Sequence, residues 1–217
     1  MKQNNKIAVI GLTGPAGSGK STVADILAGM YPVKYIHCDE IAKKIMEPGG
    51  PSYKALLERF GDEILEEGCI NEGPERKISR EKLAKLMFKD EKTRLLINSI
   101  THPLVAKEVL KEIDEAEKNG KYKLALIEAA LLIESGIYKL CDEVWLVLAN
   151  EEDRVQRMKE NRNYSDERIA GIIRGQLSPE EFLKYSNFVI DNSGNDVKMS
   201  GERIKKEVAI HLESILE

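Results

Sequence analysis

Eight consecutive residues, Gly14-Pro15-Ala16-Gly17-Ser18-Gly19-Lys20-Ser21, fit the pattern G-x-x-x-x-G-K-[ST]. Glycines at 14, 17 and 19 let the backbone curl until several N–H groups face one side, and a following helix adds its positive amino end. That arrangement suits a bound polyphosphate. Lys20 then bridges the terminal phosphates, Ser21 holds magnesium, and Thr22 stands at the helix start beside the first phosphate. The competing reading is a glycine-rich turn with an incidental lysine. The flanks favour the phosphate: an apolar run precedes the motif and helix-forming residues follow it. The motif is shared by kinases, switches and motors. No Asn-Lys-x-Asp stretch occurs, which disfavours a GTPase.

Other residue types could act beside a phosphate. Arg154 and Arg157 lie about one helical turn apart, with Arg162 after them. Arginines stabilise the charge that spreads over a phosphoryl group in transfer. The bland reading of the same run is a solvated charged helix. Glu128 ends an apolar run and either orients magnesium through water or is a structural carboxylate. Asp39, after a second apolar run, is a candidate base for a hydroxyl, or a helix N-cap. Trp145 stands in an apolar run and reads as core.

The elements that position these residues alternate. "KIAVIGL", "VKYIHCD", "KLALIEAALLI", "DEVWLVLA" and "SNFVIDN" read as buried strands, the third continuing past Glu128. Helix-forming stretches separate them, so the expectation is a parallel sheet covered on both faces. The segment 47–118 lacks buried-strand runs and reads as a helical insertion; 151–185 is charged, helical and glycine-hinged, as a lid would be. His102 precedes Pro103 and is expected at a helix start. A chain of 217 residues can bury a full core, and 42% hydrophobic with 32% charged residues fits a globular protein. The net charge of -4, with both signs mixed, argues against nucleic acid as a partner. Cys38, Cys69 and Cys141 are scattered, which points to reduced thiols in a cytoplasmic protein. No apolar run is long enough for a membrane span.

Beyond the loop, "HCDEIAKKIMEPGGPSYKALLERFGDEIL", "ISREKLAKLMFKDEKTRLLINSITHPLVAKE", "ALLIES", "IIRGQ" and "FVIDNSG" follow in an order that resembles the dephospho-CoA kinases over nearly the whole chain. Asp39, Pro48-Gly49, Phe60-Gly61, the Arg80-x-x-Leu83 to Phe88 spacing and Asn98-x-x-x-His102-Pro103 carry the likeness. The resemblance implies phosphorylation of the ribose 3′-hydroxyl of dephospho-CoA with ATP and magnesium. It implies a P-loop α/β core, a helical substrate domain and a lid. It places the catalytic aspartate at Asp39, and puts Arg80 and His102 against the acceptor. The chain departs from the pattern at Gly14-Pro15-Ala16-Gly17, where Gly-Gly-Ile-Gly is usual. It also lacks the proline after Glu128-Ala129, and the lid spacing runs from Arg157 to Asn161, with Arg162 one place later.

The expected divisions are therefore a core of 1–46, 119–150 and 186–217, a substrate insertion of 47–118 and a lid of 151–185. Other readings are a nucleoside-monophosphate or other metabolite kinase on the same core, or a non-enzymatic nucleotide switch.

Overall fold

The computed structural model describes residues 6–67, 76–162, 164–194 and 197–216. Five strands form one sheet: β1 (Ala8–Thr13), β2 (Val33–His37), β3 (Leu124–Glu128), β4 (Glu143–Leu148) and β5 (Phe188–Asp191). Their order is β2-β3-β1-β4-β5. β1 pairs in parallel with both β3 and β4, and β4 with β5. After β1 the chain moves outward past β3 to form β2. After β3 it crosses back over β1 to form β4. The reversal falls at the carboxyl ends of β1 and β3, where ligands gather in open α/β sheets.

The central strands are apolar along their length because both faces are covered. On one face Ile10, Leu12, Leu126, Trp145 and Val147 pack against α1 (Lys20–Met30) and α9 (Val197–Leu216). α9 offers Ile204, Val208 and Leu212, a single stripe at helical spacing. On the other face Leu146 packs with Ile133 and with Phe182 of α8 (Pro179–Lys184). The fold is a P-loop α/β/α core. Helices α6 (Glu151–Arg162) and α7 (Asp166–Arg174) lie between β4 and α8 in the chain.

The chain divides into two compact units, Met1–Ile36 with Ile113–Glu217, and His37–Glu112. The second unit carries α2 (Cys38–Ile45), α3 (Tyr53–Phe60), α4 (Arg80–Lys89) and most of α5 (Glu91–Asn119). Its core gathers Tyr53, Leu56, Ile64, Leu65, Ile78, Leu83 and Ile97. Leu65 and Ile78 form an antiparallel bridge, with Glu66 N–H donating to Lys77 O at 2.9 Å and Ser79 N–H to Ile64 O at 2.7 Å. Cys69 lies outside the described residues.

Three expectations from the sequence need correction. β3 stops at Glu128, and 130–135 is a turn whose Ser135 N–H donates to Leu131 O at 2.9 Å. Leu132 and Ile133 are apolar because that turn is buried, a case in which an apolar run does not separate strand from packed turn. His102 does not begin a helix: α5 runs on through Pro103. The start signal lies upstream, at Asp90, whose carboxylate accepts from Thr93 N–H at 2.8 Å and from the Thr93 hydroxyl. Asp39 does not cap α2: His37 occupies the N-cap, and Asp39 is the second helical residue, where its charge still suits the helix dipole.

Candidate active site

The loop between β1 and α1 is built around glycine. Gly17 and Gly19 have φ of 79° and 89°, in the left-handed region that side chains disfavour. Space forbids a side chain as well. A Cβ on Gly17 would stand 2.6 Å from Arg154 O, and one on Gly19 would stand 2.1 Å from Asn192 Nδ2. The loop is therefore wedged between the start of α6 and the turn after β5.

Its carbonyls are held one after another. Lys20 Nζ donates to Gly14 O at 2.8 Å and to Pro15 O at 3.2 Å. Arg154 Nε donates to Ala16 O at 3.0 Å. Arg157 reaches Gly17 O and Ser18 O, each at 3.4 Å, and ties them to Asn192 O at 2.9 Å and Gly194 O at 3.2 Å. Asn192, which is buried, donates its amide to Ser18 O at 2.8 Å. In a planar trans peptide the carbonyl and the next N–H point in opposite directions. Turning the Ala16 and Ser18 carbonyls towards these donors thus turns the N–H groups of Gly17 and Gly19 the other way. α1 then begins at Lys20 with Gly19 as N-cap and no side-chain cap bond, which leaves first-turn N–H groups for an anion. Ser18 Oγ is buried and has no hydrogen-bond partner among the described residues. The cradle fits a polyphosphate.

Ser21 and Thr22 are exposed on the first turn of α1. Glu128 closes β3 and accepts the hydroxyl of Tyr35 from β2; burial first, and then this bond, push the Tyr35 phenol well above its ordinary range. Among the described residues no three His, Cys, Asp or Glu side chains converge as a metal cage. Magnesium in nucleotide sites needs only one or two protein oxygens, because phosphates and water complete its shell. Ser21 and Glu128 carry oxygens of the kind such a site uses, Glu128 with one already accepting from Tyr35.

The structure brings Lys20, Arg154 and Arg157 to one loop. Arg162 ends α6, and its side chain lies outside the described residues. The remaining candidates belong to the second unit. Asp39 is exposed on the first turn of α2, and Arg80 is exposed at the start of α4. Arg80 borders a cavity of about 450 Å³ with Lys43, Lys77, Met46, Glu47 and Glu66. His102 is half-buried, and burial lowers its pKa from the usual 6.5.

Two residues of the loop's surroundings escaped the sequence reading. Asn192 lies in "FVIDNSG" and Gln176 in "IIRGQ", stretches that carried a resemblance but no assigned chemistry. Gln176 Oε1 accepts from Ala16 N–H at 3.1 Å. The available signal was an amide side chain at the exit of a strand or helix in a chain whose loop has more carbonyls than its own residues can satisfy.

Comparison with known proteins agrees over most of the chain. The dephospho-CoA kinase family model matches residues 8–198. A dephospho-CoA kinase from Corynebacterium glutamicum is 39% identical over 201 residues, covering 92% of this chain and 98% of that protein. One from Carboxydothermus hydrogenoformans is 38% identical, covering 87% of each. A crystal structure from Thermus thermophilus superposes with a TM-score of 0.76 at 29% identity, covering 95% of this chain and 98% of that one. Among the described residues no helix is long and apolar enough to cross a membrane.

Proposed function

The chain belongs to the dephospho-CoA kinase family, and from that premise we propose how its own residues serve the reaction. It is a kinase that phosphorylates dephospho-CoA to coenzyme A, the final step of coenzyme A biosynthesis, at the ribose 3′-hydroxyl. The observation that carries the site assignment is the loop's peptide orientation, with carbonyls 14–18 held by donors on the protein side.

The donor is ATP. Gly14, Gly17, Ser18 and Gly19 shape the cradle, Lys20 exchanges its loop carbonyls for the terminal phosphates, and Ser21 and Thr22 offer hydroxyls at the helix start. Magnesium, when bound, neutralises charge on the phosphates, and Ser21 with Glu128 hold it. Arg157 and Arg162 supply positive charge beside the nucleotide.

Asp39 orients the acceptor hydroxyl and accepts its proton while that oxygen bonds to phosphorus and the bond to the leaving ADP oxygen breaks. It follows the carboxyl end of β2 in a parallel sheet, the edge where ligands gather. Its exposed carboxylate has no hydrogen bond among the described residues, so it is available to a hydroxyl. Arg80 and His102 recognise the acceptor; Arg80 lines its cavity beside Lys43 and Lys77, which are paired with Glu40 and Glu47, and is the cation there that offers itself to the acceptor's phosphates. We assign acceptor recognition to 47–118 and exclusion of water to 151–185.

A coupled ADP-release assay over a panel of acceptors tests the reading. Dephospho-CoA should give rapid, magnesium-dependent release, and AMP, CMP and shikimate should give little. Equal rates with AMP would overturn the acceptor assignment.

A further inference from the structure

The Ala16 peptides are gripped from both sides. The Ala16 carbonyl accepts from Arg154 Nε at 3.0 Å. The Ala16 N–H donates to Gln176 Oε1 at 3.1 Å. Arg154 and Gln176 also meet each other, Arg154 Nη2 standing 3.5 Å from the same Oε1. The three residues close a circuit, yet they are separated by 138 and 160 positions in the chain.

Position 16 is where the loop needs such a grip. Ala16 is followed by Gly17, whose φ is positive, so the peptide between them has no side chain on its far side to hold its orientation. A reversal of the peptide between Ala16 and Gly17 would point the Ala16 carbonyl at the phosphates and remove the Gly17 N–H. Arg154 opposes that reversal directly, and Gln176 fixes the preceding peptide.

Gln176 comes from the short connection that follows α7, just after its C-cap Gly175. The next residues open α8 through a complete capping box, Ser178 with Glu181 and Pro179 at the helix start. The connection is thus clamped at both ends by its own helices and has one side chain reaching the loop. α6 contributes Arg154 to the same point.

We propose that Gln176 is a positioning residue for the phosphate loop, acting through Ala16 and Arg154 to link the α7–α8 segment to the shape of the nucleotide cradle. The inference rests on the loop being the nucleotide site. Gln176 touches neither substrate: it accepts the Ala16 N–H and orients the guanidinium that holds the adjoining carbonyl. Donors fixed before the ligand arrives cost nothing to arrange at binding. Losing the brace should therefore weaken ADP and ATP alike, and should leave the acceptor alone.

The test is calorimetric titration of the whole enzyme with ADP, together with steady-state kinetics. The parent must first bind ADP; its failure to do so would count against the nucleotide-site reading and not against the brace. Gln176→Ala and Gln176→Leu should each bind ADP about tenfold more weakly, the scale of one charge-supported hydrogen-bond network. Their KM for dephospho-CoA and their melting temperature should stay at the parent values. Gln176→Glu keeps an acceptor for both Ala16 and Arg154 and should regain most of the affinity. Leu fills the space of the side chain, so it carries the comparison even where Ala does not fold. Parent-like ADP affinity in Leu or Ala, or a Glu variant as weak as Leu, would overturn the proposal.

Discussion

Around the phosphate loop, Lys20, Arg154, Arg157 and Asn192 direct their polar atoms at five consecutive carbonyls. In the other unit, the side chains of Asp39, Arg80 and His102 make no hydrogen bond or ion pair among the described residues. On the proposed assignment the contrast follows from what each region binds. A triphosphate presents the same charges in the same places every time, so the chain can hold its donors ready. On the same assignment the exposed Asp39 and Arg80 stay in water until the acceptor takes them, and a wrong molecule would leave them unsatisfied.

The largest expected effect breaks the first region. Lys20→Ala removes the ammonium that holds two loop carbonyls and that we assign to the terminal phosphates. Turnover should fall by about 10³-fold, the upper range for losing one preorganised charge donor. The melting temperature should change little, because Lys20 is a half-exposed residue at the start of α1 and contributes nothing to the sheet core. Near-parent turnover in a folded Lys20→Ala enzyme would end the nucleotide-loop reading.

Asp39→Asn probes the second region. Asparagine keeps the size and polarity of the side chain but cannot take a proton. His37, not Asp39, occupies the N-cap of α2, so the variant removes no capping bond. Turnover should drop by about 10²-fold with ATP affinity retained. Turnover within twofold of the parent would assign Asp39 to the helix dipole alone.

That pair of residues also marks how much the sequence could tell. The phosphate loop was readable because its chemistry is local: each glycine, the lysine and the hydroxyl act within eight positions. The sheet was readable because strands buried on both faces are apolar throughout. What was hidden depends on contacts across the chain. Nothing near Gln176 or Asn192 announces that a loop 160 or 174 residues away needs its Ala16 N–H or Ser18 carbonyl satisfied. The turn after Glu128 looked like strand because burial, not strand pairing, made it apolar. The start of α5 looked like His102-Pro103, but a helix of 29 residues with Asp90 holding its first turn runs through one missing N–H.

A smaller effect is expected at Arg80. It borders the cavity with Lys43 and Lys77, which stay paired with Glu40 and Glu47 when it is removed. Arg80→Ala should raise KM for dephospho-CoA about tenfold, with KM for ATP unchanged. A rise confined to ATP would move Arg80 to the donor side and erase the contrast between the two regions.

The smallest effect belongs to His102, and it is a matter of pH. His102 is half-buried in α5, and burial alone lowers its pKa from the usual 6.5. The unfolded chain therefore takes up the proton at a higher pH than the folded one. Any stability this residue supplies is complete above the unfolded value and is lost as pH falls through the folded one. Half-burial keeps the effect modest. His102→Gln is neutral at every pH and retains a donor and an acceptor, as a neutral imidazole does. Parent and variant should therefore melt alike at about pH 8, and the parent should lose stability relative to the variant towards about pH 5. The same variant reports on the acceptor. Protonation adds a second donor and a charge to the imidazole, which glutamine cannot imitate. If His102 touches dephospho-CoA, the parent's KM for it should shift between about pH 7 and pH 5 in a way that Gln abolishes. A pH profile of KM identical in parent and variant would leave His102 as a half-buried helix residue, and the acceptor contacts would rest on Asp39 and Arg80.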